Sequence, residues 1–158
     1  MREILFRAKA INRDKGYHRT NYKNGDWVYG LITQPYNDRY PELPVNFRNE
    51  NGVGGIEVDY KTLGQFTGLT DKNGKKIFEG DIVVTRYPKG DICSIGDVQF
   101  DSGVFGTEWT AVKENKGMVG AWGQSHNLRR FNDGVIKNIE VIGNIHDNPE
   151  LLKEIQNG

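Results

Sequence analysis

A single cysteine, Cys93, stands among the 158 residues, so an intramolecular disulfide framework is excluded. Such sparing use fits a reducing compartment. Cys93 lies in the apolar run Ile92-Cys93-Ser94-Ile95, the setting of a buried structural thiol rather than a nucleophile. Long apolar runs are missing too, and none approaches the roughly 20 residues of a membrane-spanning helix. The opening Met1-Arg2-Glu3-Ile4-Leu5-Phe6-Arg7 has no signal-peptide core. These absences give the expectation of a cytoplasmic protein with no membrane role. Charge of one sign is also lacking: 21 basic residues balance 21 acidic ones. No overall basic field steers the chain to nucleic acid, which leaves only a local patch for that purpose. There is no internal repeat and no low-complexity tract.

Recognisable catalytic patterns are absent as well. The three histidines, His18, His126 and His146, stand at no metal-ligand spacing with each other or with Cys93. Gly52-Val53-Gly54-Gly55 has neither the spacing nor the following helix of a phosphate cradle. Gly123-Gln124-Ser125-His126-Asn127 is not a nucleophile elbow. Glu79 and Asp81 lie two residues apart, so on an extended chain they share a side and could hold a proton or a cation. The favoured reading is that they end a turn around Gly80 and accept backbone N–H bonds. No catalytic, cofactor-binding or metal-binding residue is assigned, and the chain is read as a non-enzyme; a hydrolase built on Glu79 and Asp81 ranks last.

What the chain does have is glycine, 20 residues of it, with 11% aromatics and many short β-branched runs. That composition predicts an all-β protein with tight turns. Residues 3–10 read as a first strand. Asn24-Gly25-Asp26 marks a turn into a strand over 27–33, rich in aromatic and β-branched residues. Pro35, Pro41 and Pro44, followed by asparagines and glycines, dissolve the pattern over 34–55 into a long loop, which suggests an excursion or a segment ordered by a partner. Strands resume at 56–59, and further ones are expected over 82–87, 92–100, 104–112, 118–122 and 139–145. A short helix closes the chain, with Asn148 as N-cap, Pro149 at the first position, and Leu151, Leu152 and Ile155 as an apolar stripe. So short a helix must dock on the body or on a neighbour.

The densest turn and strand chemistry lies between residues 65 and 84. Asn73-Gly74 is the strongest hairpin signal, since both residues tolerate positive φ. Asp71 can bond the backbone two residues on and start the turn. Residues 65–69 and 75–78 would be the paired strands. Gly80 is free to take a conformation closed to other residues before Ile82-Val83-Val84 opens the next strand. Five or six short strands after residue 60 suggest a strongly bent antiparallel sheet, an SH3-like barrel in residues 61–158 that carries the terminal helix. Residues 1–60 would form a second β-rich subdomain.

Three pieces of the chain resemble the YopX family, small proteins of bacteriophages and prophages. The start Met1-Arg2-Glu3-Ile4-Leu5-Phe6-Arg7-Ala8 matches its usual opening. The centre matches its signature: Gln65-Phe66-Thr67-Gly68-Leu69, then Asp71-Lys72-Asn73-Gly74-Lys75, then Ile77-Phe78-Glu79-Gly80-Asp81-Ile82-Val83. The end, Val141-Ile142-Gly143-Asn144-Ile145-His146-Asp147-Asn148-Pro149-Glu150-Leu151-Leu152, matches its close. The resemblance implies a β-rich fold, a phage or prophage origin and a cytoplasmic setting in the infected or lysogenic bacterium. It implies no established activity, and no family catalytic residue carries over.

Two functional expectations follow. The first is an accessory protein that self-associates as a homo-oligomer and binds a phage or host protein, using the 34–55 loop and the terminal helix. The alternative is a nucleic-acid-binding module of the C-terminal barrel. Its candidate contacts are Lys72, Lys75 and Lys76 at the hairpin tip, with Arg86, Tyr87, Trp109 and Trp122 on the later strands. Against that alternative, the three lysines serve equally to solubilise an exposed turn, and a small β domain needs its aromatic rings for its own core.

Overall fold

The fold is seen in a computed structural model, which describes residues 3–11, 22–34, 39, 45–49, 51–111, 129–130 and 137–157. The described residues are mostly antiparallel strand with one short helix near the end, as the composition predicts. The chain divides into two compact units, residues 1–66 and 67–158.

The first unit holds β1 (Phe6–Ala10), β2 (Trp27–Gln34), β3 (Val45–Asn49) and most of β4 (Ile56–Thr70). β1 pairs β2, β2 pairs β3, β3 pairs β4, and β4 pairs β1, all antiparallel. The four strands therefore close a ring. Its interior is small and apolar, with Ala8, Ala10, Val28, Val45, Phe47, Ile56 and Val58 buried and Phe6, Tyr22, Ile32 and Leu63 packed against them. Alternation along each strand puts these residues on one side, so their neighbours in sequence face outward. The ring closes through an irregularity in β4. Arg7 pairs Gly64, but Lys9 pairs Asp59, and the Lys9 N–H is taken by Thr62 Oγ1 at 2.8 Å. The Thr62 hydroxyl in turn donates to the Asp59 carbonyl at 2.8 Å.

β3 overturns part of the long loop expected over 34–55. Pro35 to Pro44 suppress a strand pattern locally, but Val45 and Phe47 are two residues apart and both point into the ring, with Ile32 paired to Phe47. The asparagines that suggested a loop serve the strand instead. Asn49 Oδ1 accepts from the Val53 N–H at 2.9 Å and its Nδ2 donates to the Tyr22 hydroxyl at 3.2 Å, while Asn46 Nδ2 donates to Gln34 Oε1 at 3.0 Å.

In the second unit the last residues of β4, from Thr67 to Thr70, lead through a turn into β5 (Lys76–Phe78). Then follow β6 (Asp81–Arg86), β7 (Ile92–Asp101), β8 (Val104–Thr107), β9 (Thr110–Ala111), β10 (Arg129–Arg130) and β11 (Ile139–Asn144). The ladder order is β10-β8-β7-β6-β11, with β9 also on β7. This path is open among the described residues, so the closed strand ring found here is that of the first unit. The single strand expected over 104–112 is two, broken at Glu108 and Trp109. Gly96 of β7 explains the closeness there: a Cβ on it would overlap the Glu108 carbonyl and the Thr107 side chain.

β6 is the centre of this unit. Ile82, Val83 and Val84 are all fully buried, so both faces of the strand are covered. Val83 packs with Ile77, Val98, Trp109, Ile139 and Val141 on one side. On the other, Ile82 and Val84 pack with Ile95, and against them lie Ile92, Ile142, Ile145, Leu151 and Leu152. The helix α1 (Glu150–Asn157) thus docks on the body of its own unit through Leu151 and Leu152. Asn148 does not cap it as expected. Its Oδ1 faces back to the Asn144 N–H at 3.4 Å, and its side chain fills the space beside Gly143. The expected strand over 118–122, the irregular stretch after Gly123, Trp122 and the side chain of Ile155 lie outside the described residues.

Candidate functional site

The turn between β4 and β5 is built by one carboxylate. Asp71 is buried, and its Oδ1 accepts the N–H of Asn73 at 2.8 Å and of Lys75 at 2.9 Å. Its Oδ2 accepts the Val141 N–H at 3.0 Å, from β11, seventy positions on. Three N–H bonds from the turn and from β11 make the role of this side chain architectural. Of Asn73 and Gly74 only Gly74 takes a positive φ, 82°. The turn is therefore shaped by the Asp71 side chain rather than by two left-handed residues. The Lys72 N–H donates to the Ile139 carbonyl at 3.0 Å and ties the same turn to β11 a second time.

Asp81 repeats the device one turn later. It is 1% exposed and accepts the Phe78 N–H through Oδ2 at 2.7 Å. Between them Gly80, at φ 79°, donates to the Val98 carbonyl at 2.8 Å and accepts from the Ile145 N–H at 2.9 Å. The turn-ending role expected of Asp81 holds; Glu79 is half-buried in the same turn.

Lys72 and Arg86 converge on Glu140 of β11. Lys72 Nζ lies 2.7 Å from Glu140 Oε2, and Arg86 Nε donates to the same oxygen at 2.9 Å. Arg86 Nη2 reaches Oε1 at 3.5 Å, and Nη1 donates to the Gly90 carbonyl at 2.9 Å. The Arg86 and Lys72 bonds hold the Glu140 carboxyl far below its ordinary range, at about 2. The hydrogen bond to Glu140 in turn raises the Arg86 guanidinium above its usual value. Sequence reasoning missed Glu140. The signal available was the alternation of β11, where Glu140 separates the buried Ile139 and Val141 and so must face another way.

The remaining candidates separate. Trp109 is 8% exposed and belongs to the apolar cluster around Val83. Tyr87 follows β6 and is half-buried, and the neighbouring Cys93 thiol raises the pKa of its phenol. Cys93 is itself half-buried rather than enclosed. Lys75 and Lys76 are exposed near the turn. Thus the structure brings Lys72 and Arg86 together on an acid, and places Trp109 inside. Among the described residues of this unit one large aromatic faces water: Phe100 is 50% exposed, its ring 4.8 Å from Phe105 across the β7–β8 hairpin. The two are directly paired, and the turn beyond them carries Ser102 at φ 50° and Gly103 at φ 83°, the left-handed pair of a two-residue hairpin loop. No group of three or more metal-ligating side chains comes together among the described residues, and no helix among them is long and apolar enough to cross a membrane.

These features define an all-β protein whose most distinctive turns are structural, pinned by Asp71, Gly80 and Asp81. The family model described as YopX protein matches residues 6–153, so the chain belongs to the YopX family. Among solved structures the chain is similar to protein EF1440 from Enterococcus faecalis, at 24% identity and a TM-score of 0.47, over 95% of this chain and 98% of that one. Comparison with curated proteins finds no match.

Proposed function

We propose that the chain is a non-enzymatic accessory protein of a phage or prophage, acting in the bacterial cytoplasm, that self-associates and binds proteins through the Phe100–Phe105 hairpin. The observation that carries this reading is Phe100 itself. A large apolar ring stands half-exposed at the end of a tight hairpin, tilted against a second ring, where the core has no use for it. Aromatic side chains supply much of the energy of protein contacts because they bury a large area at little entropic cost. The balanced charge of the chain, 21 against 21, sets no net repulsion between copies. The use of Asp71 and Asp81 as acceptors for backbone N–H groups supports a non-enzymatic role for the family signature.

Sedimentation velocity of the wild type and of Phe100→Ser tests the reading. The wild type is expected to sediment as an oligomer that the substitution drives toward monomer, with unchanged far-ultraviolet circular dichroism. A wild type that stays monomeric at every concentration, or an oligomer indifferent to Phe100→Ser, contradicts it.

A further inference from the structure

The sequence contains four Asn-Gly pairs, and three of them, Asn24-Gly25, Asn51-Gly52 and Asn73-Gly74, lie within the described residues. All three are exposed, and their glycines have positive φ, 89°, 81° and 82°. An asparagine followed by glycine is especially prone to lose its side-chain amide, because no Cβ on the next residue shields the attacking backbone nitrogen. The three pairs share that chemistry. What separates them is how firmly the fold holds the glycine nitrogen.

In each pair the glycine N–H is already donated. Gly74 bonds to the Asp71 carbonyl at 3.0 Å, and the N–H groups of Asn73 and Lys75 on either side go to Asp71 Oδ1. That turn is then fixed from β11, by the Lys72 N–H on the Ile139 carbonyl and the Val141 N–H on Asp71 Oδ2. Gly25 bonds across to the Ala10 carbonyl of β1 at 2.9 Å, and the Ala10 N–H returns to the Asp26 carbonyl at 2.8 Å. The turn after β3 is held differently. Gly52 bonds to the Asn49 carbonyl at 3.0 Å, the Asn49 N–H to the Val53 carbonyl at 2.9 Å, and the Val53 N–H to Asn49 Oδ1 at 2.9 Å. These bonds join residues no more than four positions apart, and residues 51–55 are all exposed. This turn can open while the strands beside it stay paired.

We propose that Asn51 is a site of spontaneous modification in the folded protein, losing its amide to become aspartate or isoaspartate. The Gly52 nitrogen bonds to Asn51 Cγ, the Cγ–Nδ2 bond breaks, and ammonia leaves with the proton that the nitrogen gives up. Water then adds to the cyclic imide. Opening at one carbonyl gives aspartate. Opening at the other gives isoaspartate, whose main chain runs through the side chain. Nothing is oxidised or reduced. The Arg48 guanidinium lies along the same turn, its Nε 3.7 Å from where a Cβ on Gly54 would stand, and favours the carboxylate that forms. The product adds one negative charge to a chain whose charges balance. Asn73 is protected by comparison. Its two bonds to β11 must open first, which slows it by about 30-fold at about fivefold per bond.

The test holds the full-length chain at mildly alkaline pH while peptide mapping by mass spectrometry follows the acid fraction at each asparagine. Asn51 is expected to convert first, about 30-fold faster than Asn73. In concentrated urea, where only the shared sequence acts, the three rates should converge. Asp71→Ala should raise the rate at Asn73 without urea and leave that at Asn51 unchanged. Asn24 or Asn73 converting first in the folded chain, the same spread of rates in urea, or a rate at Asn73 indifferent to Asp71→Ala overturns the proposal. The urea comparison uses the wild type, so it decides even where Asp71→Ala does not fold.

Discussion

Replacing Glu140 with glutamine removes the charge on which Lys72 and Arg86 converge, and its cost can be worked from the geometry. The carboxyl is held at about 2, against 4.5 for the unperturbed group. Because the folded-state value is the lower one, the stabilisation is fully present above pH 4.5 and is lost as pH falls toward 2. At about 1.4 kcal/mol per pH unit, the interval caps the contribution at about 3.5 kcal/mol. The three side chains are 23% to 34% exposed, so water screens the pairs and the expected value is smaller, about 1–2 kcal/mol. Glu140→Gln keeps the shape and the accepting oxygen while removing the charge. Urea denaturation followed by circular dichroism should show the variant less stable by this amount at pH 7. The difference should shrink as pH drops from 4.5 to 2, because the wild type loses what the variant never had. Equal urea midpoints at pH 7, or parallel acid limbs, refute the assignment of Glu140 as the centre of a stabilising cluster.

Two further substitutions separate structural roles from binding roles. Trp109→Ala should destabilise the fold by about 3–5 kcal/mol in a thermal or urea melt, as for any large aromatic removed from a core; a near-zero effect would return Trp109 to the surface. Asp71→Ala leaves the N–H groups of Asn73, Lys75 and Val141 without their acceptor and should cost roughly 2–4 kcal/mol, with amide exchange of Val141 accelerated where an architectural role predicts it.

The all-β class was legible because turn chemistry is local: Asp71, Gly74 and Gly80 act within a few residues of themselves. The docking of α1 was legible from Leu151 and Leu152, since so short a helix cannot stand alone. Long-range partners were not. Nothing near Lys72 or Arg86 announces Glu140, which arrives 68 and 54 positions later by strand pairing. β3 was hidden because Val45 and Phe47 sit among prolines and asparagines whose usual meaning is loop, and only closure of the strand ring gives them an interior to face. Arg7 and Lys9 are far in sequence from Tyr29 and Trp27, as Arg48 is from Leu31, and these pairs meet only through register. The break at Trp109 likewise reflects a tertiary demand, the close approach of Gly96 to Glu108.

The most direct test of the account's central claim, a self-associating binding protein rather than an enzyme, is the solution mass of the full-length chain by light scattering over a wide concentration range. A discrete oligomer whose population rises with concentration is the predicted result. A mass that stays at the monomer value of 17.9 kDa throughout contradicts it.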